Sequence, residues 1–381
     1  MPTGNTDQLD VVNALHRFGC LHGGDGGTTG HAVPALFKCV SDPHGLHHAG
    51  STRSITSMSQ SNDQTWSEKS VVVTGGAGFL GRVVVAKLRS HGANVVVPRS
   101  VQYDLTQPGA ADQLLADHKP AHVIHLAARV GGIGYNQVAP APLYLDNLLM
   151  GTYIIEATRR ATYVDKTTLL GTVCSYPKFT PVPFHESSLW DGYPEETNAP
   201  YGIAKKAHLI HAQVNEAQYG QRFAYLIPTN LYGPGDKFHP SVSHVIPALM
   251  KKCVEARESG ADKLDVWGTG RASREYLYVD DAADAIVLAA GNHVGTDPIN
   301  LGNDHEITIR ETVETIAALV GYGGDLVWDA SKPDGQPRRR VAVDRAEALL
   351  GWRAATSFAD GLQHTLDWYL THRNEAERPP S

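Results

Sequence analysis

The stretch from Ser70 to Gly81, SVVVTGGAGFLG, leaves the chain little choice of fold. Ser70 to Val73, with three consecutive valines, reads as a buried strand that leads into paired glycines, and a helical pattern follows from Phe79 to about Ser90. Gly92 stops that helix, and Asn94 to Val97 reads as a second strand. Within the turn, Gly76, Gly78 and Gly81 satisfy G-x-G-x-x-G, while Gly75, Gly78 and Gly81 satisfy the wider G-x-x-G-x-x-G. Glycine is required because the backbone must turn tightly, approach a pyrophosphate closely and let the helix pack on the strand. The succession of strand, turn and helix predicts a dinucleotide site in which Phe79 and Leu80 open the helix beside the cofactor.

Apolar strands at HVIHLAA (His122 to Ala128), TTLLGT and FAYLIPTN (Phe223 to Asn230) alternate with helical stretches such as NLLMGTYIIEATRRA and YGIAKKAHLIHAQVNEAQYG. That alternation predicts an α/β fold with a Rossmann-type doubly wound parallel sheet, and a length of 381 residues adds a second, smaller C-terminal lobe, expected to bind substrate. Residues 67–235 are expected to form the NADP-binding domain and 236–381 the substrate lobe. The lobes should interleave, with about 297–312 returning to the main sheet. Residues 1–66, rich in Gly, His, Ser and Thr and without period, are expected to be a disordered leader. Its Cys20, His22, His31, Cys39, His44, His47 and His48 match no common zinc spacing, so no metal is expected.

Composition removes several classes of function. A net charge of -7 lacks the electrostatic footprint of a nucleic-acid binder, though a local basic site for a phosphorylated small molecule stays open. No run approaches the ~18 apolar residues of a membrane span, and the N-terminus lacks the pattern of a secretory signal, which makes the cytoplasm the default. Cys20, Cys39, Cys174 and Cys253 lie far apart with no C-x-x-C pair, against both a disulfide framework and a zinc ribbon.

Cofactor choice is read at the end of the second strand, where an acid favours NAD and a basic residue accommodates the extra phosphate of NADP. The sequence VVVPRSVQYDL offers Arg99 there, unless Arg99 is only a solvated loop residue, and Asp104 with Leu105 is placed to face the adenine. Tyr201 and Lys205, four apart in NAPYGIAKKAHLI, share a helix face, so the ammonium is expected to lower the phenol's pKa toward working pH. Thr172, at the end of a strand, offers a second hydroxyl that could hold the carbonyl oxygen to which such a phenol gives its proton. Cys174 on residue type alone reads as a buried filler, and His244 as a helix-start histidine.

Together these features resemble the extended short-chain dehydrogenase/reductase family. In order and spacing HLAARVGGIGYN, LGTVCSYPK, PYGIAKK, PTNLYGPGDKFHPSVSHVIPAL, VWGTGRASREYLYVDD and KPDGQPRR further resemble its GDP-L-fucose synthase branch. One departure is the usual Ser-Ser-Cys, here Thr172, Val173 and Cys174, which keeps one hydroxyl and loses another. The resemblance implies Thr172, Tyr201 and Lys205 as a reductase triad, and Cys174 with His244 as an epimerase pair. It implies cofactor contacts from Ala127, Ala128, Lys205, Pro228, Thr229, Asn230, Leu231 and His244 besides the glycine turn. Lys252, Trp267, Arg274 and Asp334 fall at nucleotide-sugar positions, where Arg274 could give a bidentate fork to the diphosphate.

The implied activity is NADPH-dependent epimerisation at carbons 3 and 5 and reduction at carbon 4 of a nucleotide-linked 4-keto-6-deoxyhexose, by a homodimer packed through helices near 145–160 and 201–218. Three alternatives stand beside it: a ketoreductase for a dTDP-4-keto-6-deoxyhexose, a redox-neutral 4-epimerase holding NAD, and a catalytically dead binding protein. The absence of an acid at Arg99 counts against the second, and intact Thr172, Tyr201 and Lys205 against the third.

Overall fold

The computed structural model describes residues 66–379 apart from positions 294, 333 and 334. The expected leader, including its cysteines and histidines, lies outside the described residues except for Trp66. Trp66, counted with the leader on sequence, is fully buried and packs edge-on against His122 at 5.2 Å between ring centres. A lone aromatic after a polar stretch carries no period, so only the tertiary contact assigns it to the core.

In chain order the first half comprises β1 (Ser70–Thr74), α1 (Phe79–Ser90), β2 (Asn94–Val96), α2 (Ala110–His118), β3 (His122–His125), α3 (Ile133–Val138), α4 (Pro140–Arg160), β4 (Lys166–Leu170), α5 (Ala199–Tyr219) and β5 (Phe223–Pro228). There follow β6 (Asn230–Tyr232), α6 (Val245–Ser259), β7 (Lys263–Trp267), β8 (Ser273–Tyr278), α7 (Val279–Asn292), β9 (Gly295–Leu301), β10 (Glu306–Thr308), α8 (Ile309–Val320), β11 (Asp325–Asp329), α9 (Asp344–Leu350), α10 (Phe358–Thr371) and α11 (Arg373–Ala376). No helix among the described residues is long and apolar enough to cross a membrane.

Six strands form one parallel sheet in the order β2-β1-β3-β4-β5-β9. Both faces are covered, which is why β1 reads as an unbroken apolar run rather than an alternating one. Val71 and Val73 point toward α1 and α7, joining Val84, Leu88, Ala283 and Ile286. Val72 points the other way, onto Leu114 and Leu115 of α2 and Ile154 of α4. Further along that second face Leu209 and Ala212 of α5 cover Leu169, Phe223 and Tyr225. Strand order reverses between β1 and β3, and that switch point opens the crevice where a ligand sits in a doubly wound sheet.

The chain leaves the main sheet at Thr229, whose N–H still bonds to the Leu301 carbonyl (2.9 Å). It then enters a three-stranded sheet, β10-β8-β6, beside a two-stranded pair, β11-β7. This second region has its own core around Met250, Val254, Val266, Val313, Ile316 and Leu366. The DPINLGND segment supplies β9 to the main sheet before β10 pairs with β8, so the chain passes between the sheets more than once.

Candidate active site

The glycine turn is closed by contacts that leave no room for a side chain. Gly75 has φ +70, and a Cβ there would lie 2.7 Å from the Ala127 nitrogen, so the turn after β1 and the loop after β3 touch backbone to backbone. At Gly81 a Cβ would come 2.1 Å from the Gly75 carbonyl oxygen, and at Gly76 2.8 Å from that of Val73. Gly78 differs: it is exposed at the N-cap of α1, where no side chain caps the helix and no acid occupies the first turn. The leading N–H groups are thereby left to an anion, with half-buried Phe79 and Leu80 beside them. Ala127 and Ala128 form the facing wall, and buried Pro228 and Thr229 with half-buried Asn230 and Leu231 follow β5.

Arg99 is exposed just beyond β2, and its carbonyl accepts the Gln102 and Tyr103 N–H groups in a turn. Next in the loop, the Asp104 carboxylate accepts the Thr106 hydroxyl (2.7 Å) and N–H (3.0 Å), which hold it below the usual carboxylate range; Leu105 is buried behind it. These residues fit a dinucleotide: a Cβ-free cradle at a helix N-terminus, and a cation without a competing acid at the end of β2.

The turn after β4 and the first turn of α5 bring Thr172, Cys174, Tyr201 and Lys205 into one junction. Buried Thr172 caps a single 3-10 turn over Val173–Ser175, its hydroxyl accepting the Cys174 N–H at 3.2 Å. The Ser175 hydroxyl donates to the Gly202 carbonyl at 3.0 Å, tying the turn to α5. Gly202 is the hinge of that approach, because a Cβ there would sit 2.4 Å from the Cys174 carbonyl oxygen. Gly202→Ala is therefore expected to push α5 off the turn at a cost of about 1–3 kcal/mol, with at least a tenfold loss of reductase turnover in protein that still folds. Parallel denaturation and turnover measurements check this, and normal turnover would show that the spacing is not needed.

Sequence spacing predicts that Lys205 lowers the Tyr201 pKa, but the structure reports the opposite pull. Loss of hydration pushes the phenol of half-buried Tyr201 above its ordinary value, and Cys174 pushes it the same way. Burial draws Lys205 down to about 8. Its ammonium lies 5.8 Å from the centre of the Tyr201 ring. The phenol thus keeps its proton at neutral pH, as a proton donor must.

His244 occupies the N-cap position of α6, on a different loop from Cys174, and its side chain makes no cap hydrogen bond. Its half-exposed ring is opposed in charging by desolvation, yet the Asp236 carboxylate 4.0 Å from Nδ1 raises it above the ordinary imidazole value. The adjoining Ser243 carbonyl lies 2.8 Å from where a Gly132 Cβ would be, so the loop bearing His244 abuts the loop after β3. His244 and Cys174 share no hydrogen bond.

On the far side Lys252 and Trp267 meet: the Lys252 ammonium lies 5.7 Å from the centre of the indole, which is 64 % exposed at the end of β7. Arg274 is buried on β8, with Nη1 donating to the Ser273 and Gln336 carbonyls, both at 2.7 Å. Asp334 lies outside the described residues. Sequence reasoning passes over Asn198 and Arg339. Asn198 Oδ1 accepts the Cys174 thiol at 3.6 Å, and Arg339 Nη1 lies 3.8 Å from the same sulfur. Both stand in quoted motifs, but only their tertiary position marks them.

Residues 71–302 match the model of the NAD dependent epimerase/dehydratase family. GDP-L-fucose synthase 1 of Arabidopsis thaliana is 42% identical over 301 residues, covering 79% of this chain and 93% of the relative. The chain belongs to the GDP-L-fucose synthase branch of this family. Among solved structures, a GDP-L-fucose synthetase from Naegleria fowleri bound to NADP superposes with a TM-score of 0.74 at 29% identity, covering 82% of this chain and 97% of that one. A GDP-6-OMe-4-keto-L-xylo-heptose reductase from C. jejuni superposes at 0.76 with 25% identity, covering 81% and 99%. Within the epimerase/dehydratase family, then, this chain is an NADP-dependent epimerase/reductase enzyme.

Proposed function

We propose that the chain converts GDP-4-keto-6-deoxy-D-mannose to GDP-L-fucose, epimerising carbons 3 and 5 and reducing carbon 4 with NADPH. One observation carries the reading: a thiol, a threonine hydroxyl and a protonated phenol converge on one strand-turn-helix junction beside the dinucleotide cradle. Relatives bearing the GDP-L-fucose synthase name over nearly their whole length supply the substrate.

In a 4-keto sugar, carbons 3 and 5 both flank the carbonyl, so losing a proton from either gives an enolate. Thr172 and Tyr201 donate hydrogen bonds to the oxygen as charge develops there. Inversion needs proton exchange on opposite faces, and a thiol and an imidazole both trade protons near neutrality. Cys174 and His244, approaching from different loops, serve the two faces. Bound NADPH supplies hydride to carbon 4. Tyr201 gives the oxygen its proton, while Lys205 orients the ribose and Lys252, Trp267 and Arg274 hold the nucleotide diphosphate. Exposed Leu145 on α4 and Ile210 and Val214 on α5 support a homodimer packed through those helices.

The test incubates the enzyme with NADPH and the GDP-linked or dTDP-linked ketone in heavy water. We expect cofactor oxidation with the GDP sugar and deuterium at both carbons. Oxidation without deuterium would favour a second reading, a reductase without epimerisation, which the superposition on the heptose reductase supports. No oxidation with either sugar would refute both. Cys174→Ser is expected to slow deuterium incorporation at least ~100-fold while slowing reduction of an already epimerised ketone less than tenfold. Equal losses would make Cys174 structural.

A further inference from the structure

We infer that Arg339 and Asn198 are positioning residues that hold the two protonation states of Cys174, Arg339 the thiolate and Asn198 the thiol. This rests on Cys174 being the epimerising group proposed above. Arg339 is 7% exposed, yet among the described residues it forms no ion pair with a carboxylate. Its Nε and Nη2 both donate to the Gln336 Oε1, at 3.1 and 3.0 Å, which aligns the fork and leaves Nη1 directed at Cys174 Sγ, 3.8 Å away.

Gln336 is itself fixed, its amide donating to the Lys178 carbonyl at 3.1 Å and the Pro177 carbonyl at 3.5 Å, just downstream of the cysteine. Val341 pins the segment from the other side, its N–H donating to buried Glu275 at 2.9 Å. A guanidinium held this firmly in the interior, with no carboxylate partner among the described residues, calls for an anion, and the nearby sulfur can become one.

The thiol form has its own acceptor. Asn198 Nδ2 donates to the Glu195 carboxylate at 2.6 Å, which fixes the orientation of the amide, since a carboxylate takes only a donor. Oδ1 therefore faces Cys174 and accepts its S–H. When the thiolate takes the proton from the carbon beside the ketone, the C–H electron pair passes into the enolate. The new S–H turns to Asn198 while His244 delivers a proton to the opposite face of the carbon, and Cys174 then loses its proton to solvent and turns back to Arg339. A structural cysteine needs neither partner; a group that cycles between charge states needs both.

The test reads the thiol in the full-length enzyme without substrate. Iodoacetamide alkylation at neutral pH is followed by peptide mass spectrometry, so that Cys20, Cys39 and Cys253 do not interfere. In Arg339→Gln, alkylation of Cys174 is expected to slow at least fivefold. Deuterium incorporation into the ketone should fall by more than hydride transfer does. Arg339→Lys, which keeps a cation in the same slot, should restore most of the rate, and Arg339→Met is the second neutral variant if the glutamine variant does not fold. An unchanged alkylation rate in whichever of the two neutral variants folds overturns the inference, above all if the KM for the nucleotide sugar rises instead. Because alkylation needs no turnover, this result stands apart from whether the enzyme epimerises.

Discussion

Tyr201→Phe is expected to reduce the 4-ketone at least ~100-fold more slowly than the parent enzyme, with little change in fold or in NADPH affinity. The substitution removes one oxygen and leaves the ring that packs at the start of α5. In the proposed mechanism that oxygen does two things at once: it hands over a proton, and it stabilises negative charge on the ketone oxygen as hydride arrives. Burial and Cys174 both hold the phenol above its ordinary pKa, so it enters the reaction protonated across the neutral range. Thr172 remains, but a threonine hydroxyl is too weak an acid to complete the transfer. Single-turnover oxidation of bound NADPH measures the step directly, and a rate within threefold of the parent would move the proton donor elsewhere. Deuterium exchange at the neighbouring carbons should fall less, because the enolate keeps the Thr172 hydrogen bond.

What could be read in the sequence follows from how local each constraint is. The glycine turn is legible because Gly76 and Gly81 are each forbidden a side chain by backbone within a few residues, Val73 and Gly75 respectively. Alternating apolar runs place β1, β3, β4 and β5, since a sheet covered on both faces asks only for continuous apolar strands. Gly202, by contrast, is required by the carbonyl of Cys174, which no pattern within α5 announces. The Cys174 partners are harder still, lying 24 and 165 residues away in sequence. An asparagine before a helix ordinarily reads as a cap, and an arginine in a polar loop as surface charge. The Tyr201 and Lys205 pair shows a subtler limit. Spacing gives their shared face, whereas desolvation, which dominates both groups, depends on what the rest of the fold packs around them.

The same desolvation yields a prediction in which stability and activity move in opposite directions. Lys205 is 1% exposed, and burial takes it from the usual 10.5 to about 8. Its titratable neighbours offer no relief: His125 and His208 are buried and held well below the ordinary imidazole value, first by desolvation and then by Lys205 itself, so they stay neutral. Since the folded pKa lies below the unfolded one, the unfolded chain binds the extra proton between about pH 8 and 10.5, and stability gains from this group as pH rises through that window. Below pH 8 the full cost of burying the ammonium applies, on the order of 3 kcal/mol. Lys205→Met, with an unbranched side chain that fills much of the same channel, is expected to raise the melting temperature at pH 7 by several degrees. On the proposed role of Lys205 it should also lower reduction at least ~100-fold, through loss of the cation beside Tyr201. The stability gain should shrink as pH rises from 8 toward 10.5. Thermal denaturation across that range checks the sign, and a less stable variant at pH 7 would show that the ammonium has a favourable partner in the folded state.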